Sequence, residues 1–219
     1  MSTYEYPPLS IELQSFRLLC LLPAENESTK TTRIRCRLAE YSLQDSGKSI
    51  PLYDALSYTW DGPAKPRSIF INEQKLAVTE SLYAALLQIR DRGLNQIIWI
   101  DALCINQADT EERGQQVQLM AQIYSKATRV LVWLGETTDN SHRALESIRI
   151  AAKDESPYAW NDEISIQAVQ KLLQRSWFQR IWVGTRKTRL ISPKQLNDVY
   201  RYFKKLLQLG LSRLCVALQ

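Results

Sequence analysis

The order of apolar and polar residues along the chain predicts strands in its first half. Four apolar stretches have the length and boundaries of strands, at residues 15–23, 32–41, 53–60 and 68–79. The second alternates apolar and polar side chains, which is the period of a strand with one buried face. The fourth contains Asn72, Glu73 and Gln74 near its middle, which predicts the tip of a hairpin.

The pattern that follows predicts helices between further strands. Thr79 is expected to cap a helix, and Gly93 is expected to close it in the C′ position. Further elements are predicted as a strand at 96–101, a helix at 110–127, a strand at 129–135, and helices at 140–153 and 164–175. Nearly continuous apolar strands on either side of a helix predict an α/β fold with a mostly parallel central sheet and helices on both faces.

Composition and length indicate a globular domain with extensions. The chain has 219 residues, of which 45% are hydrophobic and 23% are charged. No apolar run reaches the roughly 18 residues of a membrane span, and the first residues do not resemble a secretory leader, so we expect a cytoplasmic protein. The four cysteines (Cys20, Cys36, Cys104 and Cys215) are far apart and are expected to be reduced.

The excess of basic charge is confined to the end of the chain. Residues 184–219 carry eight basic residues and one acidic residue, a net charge of +7, whereas all other residues together carry −2. A nucleic-acid binder normally displays a basic face on its folded body, so no nucleic-acid partner is expected. Apolar side chains at helical spacing, opposite basic ones, predict a basic amphipathic helix in this tail. It either packs on the domain or contacts an acidic partner or an anionic membrane.

Several kinds of cofactor and catalytic site are excluded by residue count and spacing. The seven glycines never cluster, so the chain has neither a GxGxxG turn nor a P-loop to hold phosphates. The one histidine, His142, leaves a single candidate base for Ser–His or Cys–His chemistry and excludes a His-rich metal centre. We therefore expect no metal site.

Reactive and hydrogen-bonding side chains gather where the most apolar strand ends. Asp101 is the last residue of that predicted strand, and the loop after it holds Cys104, Asn106 and Gln107. Ligands of open parallel sheets lie beyond the carboxyl ends of the strands, so this loop is a candidate pocket. Arg113 would add a fork of hydrogen-bond donors to it.

A structural interpretation of the same loop remains open. Short polar side chains such as Asp101 and Asn106 commonly hold loop backbone and cap helix and strand ends. Asp109 followed three residues later by Glu112 fits a capping box at the start of the next helix. Spacing alone does not decide between a pocket and a set of caps.

Three blocks of sequence resemble, in order and spacing, the fungal heterokaryon-incompatibility (HET) domain. They are YDALSYTWDG at 53–62, IWIDALCINQADTEERGQQVQLMAQIYSKATRVLVWLG at 98–135 and RSWFQRIWV at 175–183. The resemblance covers residues 15–183 and leaves an N-terminal extension at 1–14 and a divergent basic tail at 184–219. The blocks contain further candidate site residues, namely Asp54, Ser57, Tyr58, Trp60, Trp177, Arg180 and Trp182.

The resemblance implies a role in non-self recognition in filamentous fungi. HET domains trigger cell death when incompatible hyphae fuse, and they are regarded as distant relatives of TIR domains. That relation implies a three-layer, flavodoxin-like arrangement of sheet and helices. Some TIR domains cleave NAD, and others only assemble with partner domains. The expected partners are therefore other signalling domains or further copies of this chain, with NAD as a candidate cofactor.

The chain departs from the family pattern just after the third block. HET domains usually continue there with a glutamate, whereas this chain has Arg186. A glutamate could stabilise the positive, oxocarbenium-like centre of NAD cleavage, whereas an arginine would repel it. A binding role is therefore the leading hypothesis, and NAD cleavage is the alternative. Glu111 and Glu112 are the acids near the loop. An inactive, truncated family member is a further alternative, since divergence, a frame change and a misread intron all remain open for the tail.

Overall fold

The chain forms two units, Met1–Trp133 and Leu134–Gln219. The computed structural model describes residues 4–10, 14–24, 33–44, 49–60, 62–91, 93–136, 141–146, 163–181 and 214–217. The first unit contains the predicted hairpin, the candidate loop and most of the first two HET-like blocks. The second unit contains the third block.

The described part of the first unit consists of seven strands and three helices. In chain order they are β1 Ser15–Leu21, β2 Arg35–Ser42, β3 Asp54–Ser57, β4 Arg67–Ile71, β5 Gln74–Val78, α1 Glu80–Ile89, β6 Gln96–Trp99, α2 Asp101–Cys104, α3 Thr110–Lys126 and β7 Arg129–Trp133. The predicted strands and helices of this region are therefore confirmed in type and order, and α2 is an addition.

The sheet of the first unit is mixed, so the α/β class is confirmed and the mostly parallel sheet is wrong. Its strand order is β5-β4-β2-β1-β6-β3-β7. The pairs β2–β4, β3–β6 and β3–β7 are parallel. The pairs β1–β2, β1–β6 and β4–β5 are antiparallel. A continuous apolar stretch indicates only that both faces of a strand are buried, and the direction of pairing has to come from the rest of the chain.

Local sequence signals account for two of the turns and caps. The side chain of Thr79 accepts a hydrogen bond from the Leu82 amide at 3.2 Å and caps α1, as predicted. The β4–β5 hairpin turns at Asn72 and Glu73, whose φ angles are 48° and 65°. Positive φ at both central residues is the geometry of a type I′ turn, whose twist matches that of the strands on either side.

Gly93 does not occupy the C′ position predicted for it. Helix α1 ends at Ile89, and its C-cap residue Arg90 takes extended angles. The carboxylate of Asp91 then accepts hydrogen bonds from the amides of Gly93 and Leu94, at 2.8 and 3.0 Å. The Asp91 side chain stabilises this turn, as short polar side chains do when they accept hydrogen bonds from nearby backbone amides. Gly93 is therefore not needed as the cap.

The two faces of β1 have different neighbours. Phe16 and Arg17 are neighbours on this strand and therefore point to opposite faces of the sheet. The Arg17 guanidinium donates to the Cys104 carbonyl of α2 at 3.1 Å. On the other face, the ring of Phe16 lies 6.1 Å from that of Tyr53, whose hydroxyl donates to the Ile123 carbonyl of α3 at 2.6 Å.

The second unit is described mainly by its helices. Residues 141–146 are helical (α4), and α5 Glu163–Leu173, α6 Ser176–Ile181 and β8 Leu214–Ala217 follow. The predicted tail helix between 192 and 207 lies outside the described residues, and the four described tail residues form a strand. Across the helices that the structure describes, none combines the length and apolar character needed to cross a bilayer.

The buried hydroxyl of Tyr53 gives a direct test of the contact between β3 and α3. We expect Tyr53→Phe to lower the free energy of unfolding by about 1 kcal/mol, because the hydrogen bond to Ile123 is lost. Urea unfolding followed by tryptophan fluorescence measures this difference. Tyr41→Phe is the matched control, since Tyr41 is half-buried and its hydroxyl makes no hydrogen bond among the described residues. Equal losses in the two variants would contradict the packing described here.

Candidate functional site

The strand that leads into the candidate loop is interior, as the sequence predicts. β6 lies between β1 and β3, and its Trp99 is fully buried. β3 runs parallel to both β6 and β7, so the carboxyl ends of these three strands lie along one edge of the sheet. Asp101 follows β6 at that edge and begins the short helix α2. The strand ends at Trp99, so Asp101 is not its last residue as predicted, and its half-buried side chain stays a predicted pocket group.

Hydrogen bonds to backbone hold the loop after β6 in place. The Asp101 carboxylate accepts from the Ala102 amide at 2.7 Å, and the Gln107 amide nitrogen donates to the Asp101 carbonyl at 2.8 Å. The Asn106 side chain accepts from the Ala108 amide at 3.2 Å. Arg113 is exposed and donates to the Gln107 carbonyl at 3.3 Å. The structure thus brings these four predicted residues together, and the contacts it shows are those of the structural interpretation.

A buried ion pair lies beneath this loop. The Arg17 guanidinium binds the Glu112 carboxylate through two hydrogen bonds, of 2.7 and 3.0 Å. Only 2% of the Arg17 side chain and 9% of the Glu112 side chain are exposed. A bidentate pair removed from water needs partners for most of its remaining donors and acceptors, and Arg17 Nε is buried without one among the described residues. The remaining hydrogen bonds of the Arg17 guanidinium and the Glu112 carboxylate therefore determine which segments of the chain the pair connects.

Glu112 reaches farther than a capping box requires. Asp109 caps α3 as predicted, since its carboxylate accepts from the amides of Glu111 and Glu112, both at 3.0 Å. A capping-box glutamate would return to the amide of the cap residue. The Glu112 carboxylate instead accepts from the Asn106 amide at 2.7 Å as well as from Arg17. This glutamate therefore connects the loop to β1 in addition to its place in the first turn of α3.

The N-terminal segment, expected to be an extension, also contacts this ion pair. Arg17 donates to the Pro7 carbonyl, and the Tyr6 ring lies 5.1 Å from the guanidinium carbon. The Tyr6 hydroxyl donates to the Leu103 carbonyl at 3.1 Å, and burial raises the pKa of Tyr6 above its usual range. Arg17 and Tyr6 were not among the predicted site residues. The available signal was a charged residue inside the apolar sequence SFRLLCL, which requires a partner when buried.

Cys104 is a buried thiol at the end of α2. Its sulfur accepts a hydrogen bond from the Ile100 amide at 3.4 Å, and the residue has no exposed surface. Burial raises the pKa of the Cys104 thiol to about 12. A thiol with that pKa is neutral near pH 7, so Cys104 contributes packing at this position and not a nucleophile.

The first HET-like block serves mainly to build the sheet. The Asp54 carboxylate binds Arg129 at 2.7 and 3.2 Å, across the β3–β7 pair where the two residues are opposite each other. Tyr58 is buried, Ser57 is half-buried, and Trp60 is exposed over 38% of its surface at the end of this segment. Of the four candidate site residues in this block, Trp60 is therefore the one most available to a partner.

The third block lies in the second unit. The Trp177 and Phe178 rings make an edge-to-face contact of 5.0 Å, and both residues are buried. Arg175, just before α6, donates to the Leu134 carbonyl at 2.8 Å. Arg180 belongs to α6, but its side chain is outside the described part, and Trp182 and Arg186 lie wholly outside it. The replacement of the usual glutamate by Arg186 is therefore seen in the sequence alone.

One surface cleft lies away from the predicted loop. Its volume is about 260 Å³, and it lies between the N-terminal segment and the outer part of β2. Arg17 contributes to its wall, whereas Asp101, Asn106 and Gln107 do not. Among the described residues, no group of three histidine, cysteine or acidic side chains is placed to hold a metal ion. The loop is a rim of the sheet fastened by hydrogen bonds, with the exposed side chain of Asp109 at its end.

Breaking the buried ion pair should destabilise the first unit strongly. We expect Arg17→Met or Glu112→Leu alone to lower the free energy of unfolding by about 3 to 5 kcal/mol, because each leaves an unpaired buried charge. The double variant should lose less than the sum of the two single losses, by about 1 to 3 kcal/mol. Chemical denaturation of the four proteins measures both quantities.

An exposed ion pair is the control for that experiment. Arg67 and Glu80 are joined at 2.8 Å, but about half of each side chain is exposed. Solvent screens such a pair, so Arg67→Met and Glu80→Leu should change stability far less than the buried substitutions do. Similar losses at both pairs, or strictly additive losses at Arg17 and Glu112, would rule out the role given to the buried pair.

Thiol labelling tests the burial of Cys104 and Cys36 independently. Burial raises the pKa of each of these two thiols to about 12, whereas Cys20 is half-buried. Brief treatment of the native protein with iodoacetamide at pH 8 should therefore modify Cys20 well before the other two. Peptide mass mapping, with the urea-unfolded protein as reference, reads out the order. Alkylation of Cys104 as rapid as that of Cys20 would be incompatible with the structure.

Comparisons with known proteins bear on the same segments. The sequence profile of the family described as "Heterokaryon incompatibility protein (HET)" matches residues 53–184. Heterokaryon incompatibility protein 6, OR allele, of Neurospora crassa is 34% identical to this chain over 159 residues. That match covers 67% of this chain and 22% of the relative, so the chain spans about a fifth of the length of the relative it matches. No solved structure matches the chain.

The profile match includes the features on which the candidate site is built. It begins at Tyr53, just before β3, and contains β6, the loop at 101–109 and α3 with Glu112. It ends after α6, so all three blocks noted in the sequence lie within it. The profile covers more than half of the chain, and the chain belongs to the heterokaryon incompatibility (HET) family.

Proposed function

We propose that this chain is a HET-domain module of fungal non-self recognition, acting in the cytoplasm by binding partner domains or further copies of itself. Its output would be a cell-death response. Membership of the family carries this proposal, and the name of the Neurospora crassa relative, a heterokaryon incompatibility protein, agrees with it. The chain corresponds to only part of that relative, so the partners belong to the proposal as well.

The construction of the loop supports recognition as its role. Its inner groups are engaged with backbone, as in the contacts of Gln107 with the Asp101 carbonyl and of Glu112 with the Asn106 amide. Its outer groups, including Glu111 and Arg113, are exposed at the start of α3. Charged side chains on a rigid rim are well suited to give specificity to a protein contact. The NAD-cleaving alternative gains no support from these contacts.

Toxicity in a filamentous fungus tests this proposal. Regulated expression of the chain should arrest growth, and Asp101→Ala or Asn106→Ala should reduce that arrest at least tenfold in colony counts. Either substitution removes a side chain that fixes the rim, through the Ala102 amide or the Ala108 amide. Circular dichroism and equal expression levels establish that the variants are folded.

The matched control is Asn95→Ala, which truncates an exposed asparagine in the loop before β6. This variant should remain as toxic as the parent chain. Full toxicity of folded Asp101 and Asn106 variants would remove the loop from the recognition site. Absence of toxicity for the parent chain would overturn the proposed function of the chain on its own.

A further inference from the structure

One face of the outer sheet is basic and open to solvent. The register places Arg35 opposite Phe70, and Phe70 opposite Lys75, so these side chains share one face. Arg37, two positions after Arg35 in β2, shares that face by strand alternation, and Arg33, just before β2, lies over the Phe70 ring at 5.7 Å. We call this surface, formed by Arg33, Arg35, Arg37, Phe70 and Lys75, the basic sheet face.

The positive charge of this face is only partly neutralised. Arg33, Arg37 and Lys75 are exposed, and 36% of the Arg35 side chain is exposed. Arg35 binds the Glu73 carboxylate at 2.6 Å, while the side chains of Arg37 and Lys75 make no ion pair with any described residue. Four basic groups and one acidic group give the face a net charge of about +3. Such a surface attracts an anionic partner.

We infer that the basic sheet face docks an extended, acidic polypeptide segment. Arg35 and Arg37 stand at alternate positions of β2, about 6.6 Å apart, and Arg33 lies two residues before Arg35. Alternate side chains of an extended peptide have the same spacing, so carboxylates at every second position would meet successive guanidinium groups. Guanidinium groups bind carboxylates through paired, directional hydrogen bonds.

A carboxylate already occupies part of this face, which supports the choice of an acidic peptide. Glu73 in the β4–β5 turn reaches Arg35 while 71% of its own side chain remains exposed. The turn thus supplies one contact of the kind that a docked segment would repeat at Arg37 and Lys75. Solvent and salt screen exposed pairs of this type, so the interaction should be weak and sensitive to salt.

The same face is less suited to nucleic acid or membrane. Single-stranded nucleic acids stack their bases on free aromatic rings. The Phe70 ring is covered by the Arg33 guanidinium, at 5.7 Å from the ring centre, and Tyr41 packs against Phe16. Insertion into a bilayer requires large apolar side chains, whereas the exposed apolar positions in this region are Ala39 and Ala77.

Peptide binding to the whole chain tests this inference. The probe is a fluorescein-labelled peptide of alternating glutamate and serine, with an alternating lysine and serine peptide for comparison, in fluorescence anisotropy. The acidic peptide should bind in 50 mM salt and lose at least tenfold in affinity in 500 mM salt. Arg37→Glu combined with Lys75→Glu should weaken binding at least tenfold, because it reverses two cations that make no ion pair with any described residue.

Lys126→Glu is the matched control for Lys75→Glu, because it reverses an exposed lysine at the end of α3. The affinity of the Lys126→Glu variant for the acidic peptide should stay within twofold of that of the parent chain. Absence of acidic-peptide binding, or equal weakening by Lys126→Glu, would overturn the inference. Tighter binding to a single-stranded oligonucleotide or to phosphatidylserine vesicles, with the same dependence on Arg37, would replace the acidic peptide by that partner.

This inference rests on the partner binding proposed above and names the basic sheet face as the surface that binds the partner. The two can fail separately, because anisotropy measures the basic sheet face alone and the growth assay measures the complete response. A toxic chain that binds no acidic peptide would leave the proposed function in place and remove this surface. A chain that binds the peptide but is not toxic would leave this surface in place and overturn the proposed function.

Discussion

The buried ion pair between Arg17 and Glu112 is the constraint on which the candidate site depends. Charges removed from water need partners for most of their hydrogen-bonding groups, so the pair dictates what surrounds it. Arg17 also donates to carbonyls of Pro7 and Cys104, and Glu112 also accepts from the Asn106 amide. One interaction therefore fixes β1, the N-terminal segment, α2, the loop and the start of α3 relative to one another.

This arrangement explains how polar groups can stand at the end of the most apolar strand. Ile98 and Trp99 of β6 are buried, and the chain must leave the sheet through backbone that has lost its strand partners. Side chains of the loop, such as Gln107 and Asn106, satisfy that backbone. The outer groups of the rim are then held at fixed positions, which reduces the entropy that a partner would have to remove on binding.

Elements set by local signals could be predicted from the sequence. The alternation in β2, the hairpin at Asn72 and the cap at Asp109 each follow from residues within one turn or strand. The pairing directions of β1 could not be predicted, because an apolar strand buried on both faces has the same pattern in parallel and antiparallel sheets. The consequence was a sheet predicted to be mostly parallel that is in fact mixed.

Local sequence patterns could not predict the long-range contacts of the site either. Arg17 and Glu112 are 95 positions apart, and Glu112 has the spacing of an ordinary capping residue. The sequence did place Asp101, Asn106 and Gln107 together, since a short loop leaves them no other position. It could not show that their side chains are engaged with backbone, because that depends on the path of the loop over β1 and α2.

Hydrogen exchange at the Asn106 amide tests the central claim most directly, because this amide donates to the Glu112 carboxylate at 2.7 Å. If the buried pair fastens the loop to the sheet, this amide should exchange only when the first unit unfolds. Its opening free energy in native-state exchange should then equal that of interior amides of β3 and β6. An Asn106 amide that exchanges by local opening, far faster than those strands, would contradict the account.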